Sequence, residues 1–142
     1  MLFTPKEVRN IIGISYRQIQ YWDYTDVVKP GFSAYHKHRR YSFPDLVILK
    51  FVAVMRQRGY SIQGLRVRAR ELRKFLVEYT QKISTSLKDL VILWDGKRII
   101  LFNSMPIVSG LSRQHVIIDI SSLFEQVSNQ RQKEDQLRAQ AA

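Results

Sequence analysis

Thr4-Pro5-Lys6-Glu7 and Ser15-Tyr16-Arg17-Gln18 are two helix-starting boxes in quick succession, with Gly13 between them. In each, a Ser or Thr hydroxyl can accept from the backbone N–H three residues on, and the acid or amide there can reach back. Pro5 suits the first helical position, where a missing N–H removes nothing. Val8, Ile11 and Ile12 give the first helix one apolar face. Gly13 can supply the positive φ that ends it, Ile14 tucks inward, and Ser15 opens the second helix. Two short helices joined by a tight Gly-containing turn form a helix-turn-helix, the motif that sets its second helix in a DNA major groove.

The charge distribution supports that reading. The chain of 142 residues carries a net +11, and residues 1–82 hold 16 Lys+Arg against 6 Asp+Glu, while residues 83–142 hold 7 against 6. A basic N-terminal unit followed by a near-neutral one fits a nucleic-acid binder with a separate second function. Charge that merely keeps a protein soluble, or draws it to an anionic membrane, is the competing explanation, and it leaves the helix-turn-helix pattern unused. At 45% hydrophobic residues the chain can bury a core, enough for one domain or one small domain with an appendage. There is no cysteine, which excludes disulfides and thiolate metal sites, and the three histidines form no ligand cluster. No metal or other cofactor is expected. No apolar run approaches the ~18 residues of a membrane span, and the N-terminus lacks a signal-peptide stretch. The cytoplasm, on the nucleoid, is the expected location, with no membrane partner.

The second helix should run to about Tyr24, with Ile19 and Trp22 facing the core. Tyr16, Arg17, Gln20 and Tyr21 then look outward and include donors for base edges or phosphates. Val27 to Gly31 and Arg40 to Ser42 flank a basic loop, Ser33 to Arg39, which a short hairpin would project as a wing. Its interleaving of Tyr35, His36, Lys37, His38, Arg39, Arg40 and Tyr41 suits phosphate and minor-groove contact, and equally a solvated charge run. Ser42-Phe43-Pro44-Asp45 starts a third, almost continuously apolar helix that Gly59 stops. Ser61 caps a fourth, from about Ile62 to Ile83, with Leu65, Ala69, Leu72, Leu76, Tyr79 and Ile83 as its apolar stripe.

After Lys82 the period becomes that of strands. Leu90 to Trp94, Asp95-Gly96 and Lys97 to Phe102 read as a β-hairpin with a type I′ turn, and Val116 to Ile120 as a third strand. Ser122 to Glu125 opens a short final helix, and from Asn129 the tail should fray. Strands apolar on both faces, with one short helix, can cover only one side. Residues 87–128 should therefore pack against a second copy of themselves; folding back on their own chain is the alternative.

Four fragments now stand in order: Phe3 to Val8 with Gly13-Ile14-Ser15; Ile19 to Asp23 with Val27-Val28-Lys29-Pro30; Arg39-Arg40-Tyr41 with Asp45-Leu46; and Arg56 to Ile62. Together they resemble the winged helix-turn-helix domain of the MerR (mercury-resistance regulator) family of bacterial transcription regulators, over about residues 2–75. The resemblance implies a homodimer on a palindromic promoter site. It also implies that the regulator bends and untwists an overlong spacer so that RNA polymerase can use it. It implies further that Tyr16 and Arg17 enter the major groove while Arg39 and Tyr41 hold phosphates. Three positions depart from the family pattern: Gln20 replaces an arginine, and Asp26 and Lys37 stand where glycines are usual. The antiparallel helix by which many members dimerise is not evident after the fourth helix.

The expected fold is mostly α with small β. A winged helix-turn-helix domain spans 1–83, a β-hairpin, third strand and helix span 84–128, and a flexible polar tail spans 129–142. The expected function is sequence-specific binding of double-stranded DNA through Thr4, Ser15, Tyr16, Arg17, Gln18, Gln20, Tyr21, Tyr35, Lys37, His38, Arg39, Arg40 and Tyr41. The alternative is an antitoxin-like or phage-type DNA binder whose C-terminal half holds a partner protein. No catalytic residue is expected, because Ser109, Ser112 and His115 lie close in sequence but lack a strand-turn-helix elbow.

Overall fold

The computed structural model describes residues 2–34, 37–83, 87–105 and 115–141. It divides into two compact units, Met1–Leu87 and Lys88–Ala142. In the first, α1 (Pro5–Ile12) and α2 (Tyr16–Tyr24) precede a two-stranded antiparallel ribbon, β1 (Phe32–Ala34) with β2 (Lys37–Arg40), and then α3 (Phe43–Gln57) and α4 (Ile62–Ile83). Both capping boxes form, and Gly13 takes φ 83° between them. The ends of both helices are thus fixed by local hydrogen bonds, while their buried faces hold them in the unit.

α3 is the buried spine: Leu46, Val47, Ile48, Leu49, Phe51, Val52 and Met55 are all within 1% of full burial. It packs against α1 on one side and α4 on the other, and α4 contributes Leu65, Ala69, Leu72 and Leu76 as buried positions. The side chain of Ile83, the last residue of the expected stripe, lies outside the described residues. Asp45 ties the unit together from inside. Its Oδ2 accepts from the N–H groups of Gly31 (3.0 Å) and Ser42 (2.9 Å), and Arg73 Nη1 lies 2.8 Å from its Oδ1.

The wing differs from expectation. The strands, Phe32–Ala34 and Lys37–Arg40, take up most of the expected loop rather than merely flanking it, and their register slips between Phe32↔Arg40 and Ala34↔Lys37. Two β2 residues, His38 and Arg39, thereby oppose one residue of β1, a bulge that bends the ribbon. His38 carries the left-handed backbone this needs, at φ 54°, so the positive φ falls one residue after Lys37. Asp26 adopts φ 61° and supplies, without glycine, the turn that follows α2; Asp tolerates this conformation better than most residues. The strand pair is tied to the start of the chain by an isolated bridge. The Phe3 N–H donates to the Tyr41 carbonyl at 2.7 Å, and the Tyr41 N–H donates to that of Phe3 at 2.9 Å.

In the second unit, β3 (Val91–Trp94) is central in the order β4-β3-β5, with β4 (Ile99–Phe102) and β5 (Val116–Asp119) antiparallel to it. The β3–β4 connection is not the expected two-residue type I′ turn. It runs over Asp95 to Arg98, and of its two central residues only Gly96 has positive φ, whereas type I′ requires both. The Asp95 carboxylate closes the loop by accepting from the Lys97 and Arg98 N–H groups, each at 2.9 Å. These bonds hold its pKa at about 2. All four residues of β3 are buried, so the expectation that one face of these strands would stay uncovered fails at the sheet's centre. Exposure is confined to the flanks, where Ile117 on β5 is 36% exposed.

The end of the chain also corrects the sequence reading. One helix, α5, runs from Ile120 to Ala141, in place of a short helix from Ser122 and a frayed tail over 129–142. Asp119 is its cap: Oδ1 accepts from the Ser121 N–H at 3.0 Å and the Ser121 hydroxyl at 2.7 Å. The Gln, Glu, Lys, Arg and Ala residues that read as a tail are good helix formers. Gln130 donates to Glu134 at 3.4 Å, and Arg131 pairs with Glu134 at 3.7 Å. Only Ile120, Leu123 and Val127 of α5 are buried.

Candidate nucleic-acid interface

α2 owes its orientation to its two faces. Ile19 and Trp22 are buried at 1% and 2% exposure, which turns Tyr16 and Tyr21 to solvent at 46% and 51%, with Arg17 beside them. Gln20 is half-buried at the edge of this face. Thr4, Ser15 and Gln18 engage their side chains in caps. Thr4 Oγ1 accepts from the Glu7 N–H at 3.2 Å, Ser15 Oγ accepts from the Gln18 N–H at 3.1 Å, and the Ser15 N–H donates to Gln18 Oε1 at 3.0 Å. Ser15 and Gln18 are exposed all the same, at the positive end of the α2 dipole.

On the wing the residues divide. His38 is exposed and Arg40 half-buried, with Arg40 Nη1 donating to the Arg39 carbonyl at 2.8 Å. Tyr35 and the side chain of Lys37 lie outside the described residues. Arg39 and Tyr41, expected to hold phosphates, are instead interior, at 3% and 0% exposure. The reason for Arg39 is a carboxylate to which the sequence reading had given no role of its own. Asp23, 1% exposed on the inner face of α2, takes the Arg39 Nε–H at 2.7 Å. The Arg39 guanidinium also lies 5.8 Å from the centre of the Tyr24 ring. Arg39 Nη2 and the Tyr41 hydroxyl have no hydrogen-bond partner among the described residues. Burial first, and then the Asp23 carboxylate, raise the Tyr41 pKa above the ordinary phenol range against the lowering pull of Arg39. The residues missed by sequence reasoning are thus Asp23 and Asp45 as internal anchors. The one available signal for Asp23 was its helical spacing from Ile19 on the buried side.

Ser109 and Ser112 lie outside the described residues. Among the described residues no three His, Cys, Asp or Glu side chains gather as a metal site requires, and no helix is long and apolar enough to cross a membrane.

A capped helix pair with outward polar and aromatic groups on its second helix, followed by a bulged ribbon anchored to that helix, defines a winged helix-turn-helix unit. The family model for MerR helix-turn-helix regulatory proteins matches residues 3–72, and through that segment the chain belongs to this family. The segment is also similar to proteins named as uncharacterized HTH-type transcriptional regulators in Mycobacterium bovis and in two strains of Mycobacterium tuberculosis. Each is 37% identical over 67 residues, covering 45% of this chain and 30% of the relative. The match therefore spans under a third of those relatives, and the second unit lies outside the segment that the family model matches.

Proposed function

We propose that the protein is a sequence-specific double-stranded-DNA-binding transcriptional regulator. It acts as a homodimer at a palindromic promoter operator and distorts the promoter spacer for RNA polymerase. The observation that carries the reading is the exposed face of α2, where Tyr16, Arg17 and Tyr21 stand clear of a helix whose other side is locked into the core. Base-edge contacts need donors on a rigid element that can enter the groove, and α2 meets that need. Arg39 and Tyr41 serve as positioning groups that hold the wing to α2, and phosphate contact falls to exposed cations such as Arg17 and to Arg40. Two winged units related by a two-fold axis match two half-sites, and edge strands β4 and β5 with Ile117 offer surface for pairing the second units. Genome-wide mapping of bound DNA tests the proposal. A shared inverted repeat lying between promoter elements is the expected result. Enrichment without a common sequence would overturn it.

A further inference from the structure

A pocket of about 360 Å³ opens in the first unit, between α4 and the segment that joins α2 to β1, and none of its lining belongs to the DNA-facing set. Val27, Ile48 and Ala69 line it with apolar atoms and are themselves 5%, 1% and 2% exposed. Lys29, Arg70 and Arg73 add three cations. Arg73 is committed inward to the buried Asp45 carboxylate at 2.8 Å. Arg70 Nη2 holds Asp26 Oδ2 at 2.7 Å, but both of these side chains face water, at 63% and 47% exposure. Lys29 is exposed and forms no ion pair among the described residues.

An apolar floor beneath a cationic rim selects for an anion carried on an apolar body. The floor contributes nothing to a fully hydrated ion, and the rim contributes nothing to a neutral ligand. The volume lies at the small end of the ~300–1,000 Å³ of ligand pockets. We propose that this pocket binds a small organic carboxylate, with its apolar body on Val27, Ile48 and Ala69 and its carboxylate on Lys29 and Arg70. The site would act on DNA binding through Asp26, a step that rests on the regulator reading above. Asp26 sits in the segment linking the groove-facing helix to the wing, at φ 61°, and its carboxylate is paired with Arg70. A ligand carboxylate matches the guanidinium fork and competes with Asp26 for it, which releases the link between α2 and β1.

The test uses the full chain and amide NMR, with benzoate as probe, benzamide as its neutral counterpart and inorganic phosphate as the bare anion. Benzoate is expected to shift the amides of Asp26, Val27, Ala69 and Arg70 saturably, with Kd of about 1 mM or tighter. K29Q and R70Q, both at exposed side chains, should each weaken it about fivefold, the effect of one partly exposed charge contact. The dispersion of the same spectra reports that the variants fold. Unsaturable shifts, equal binding of benzamide, phosphate shifting these amides as strongly as benzoate, or unchanged affinity in both variants would each overturn the site. Benzoate should also change the affinity for the mapped operator duplex; saturable binding with unchanged duplex affinity would overturn the regulatory link. If no duplex is bound at all, the regulator reading fails while the pocket titration stands by itself.

Discussion

Asp23 on α2 and Arg39 on β2 meet at 2.7 Å with side chains only 2% and 3% exposed, so the second helix of the pair and the wing share one buried ion pair. Removing one partner leaves the other charged and dry, which is far worse than lacking both.

Arg39→Met should therefore destabilise the fold by about 3–5 kcal/mol, and Asp23→Leu combined with Arg39→Met should restore most of that loss. Urea denaturation of the wild type, the single and the double variant measures it. Equal stabilities for the single variant and the wild type would show that the pair carries no net load.

Tyr41 gives a prediction on the alkaline side. Its pKa is raised in the fold above the unfolded value of about 10, so the neutral phenol is the form that folding favours. The stability tied to it is complete below pH 10 and declines as the pH rises beyond. Tyr41→Phe removes a buried hydroxyl that has no partner, and should change stability at pH 7 by less than about 1 kcal/mol. Melting curves from pH 8 to about 11 should show a shallower alkaline loss for Tyr41→Phe than for wild type. Parallel losses in the two proteins would reject this.

Asp45 accepts two backbone N–H groups and pairs with Arg73 from a fully buried position. Asp45→Ala should cost roughly 3 kcal/mol, because it leaves the part-buried Gly31 and Ser42 N–H groups and the Arg73 guanidinium without their acceptor and removes the reciprocal half of the capping box that Ser42 opens at α3. Asp45→Asn keeps one acceptor and should fall between the two. Gly31→Ala should also destabilise, since a Cβ there would stand 3.1 Å from Asp45 Oδ2. Thermal unfolding of the three variants ranks them.

Tyr16→Ala and Arg17→Ala should weaken binding to the mapped operator more than binding to random duplex, as base-edge contacts alone distinguish sequences. Arg17→Ala should also flatten the dependence of log affinity on log salt by about one unit if it touches a phosphate. Titrations on both duplexes at several salt concentrations separate the two roles.

What could be read from the chain, and what could not, follows the range of the interactions. The boxes at Thr4–Glu7 and Ser15–Gln18, the glycine stop at Gly13 and the apolar period of α3 and α4 are contacts between near neighbours, and their residue types announce them. The Asp23–Arg39 pair joins residues 16 apart through a fold not yet formed, and charged residues on a short strand look solvated until a partner is found. The bulge at His38 hid for a related reason: nothing in His-Arg-Arg marks an extra residue in a ribbon. The length of α5 was missed because a stretch with little to bury resembles a tail, although its helix propensity was there to be counted. Asp26 shows the reverse case, where a departure from the family's glycine still reaches the left-handed turn.

The reciprocal Phe3–Tyr41 hydrogen bonds also bear on how the protein is handled. They anchor the amino end of the chain alongside β2, so any polypeptide joined ahead of Leu2 emerges next to the wing. An affinity tag or fluorescent fusion at that end would crowd the ribbon and blur every measurement made on it. The exposed final turns of α5, with buried side chains no later than Val127, are the better attachment point.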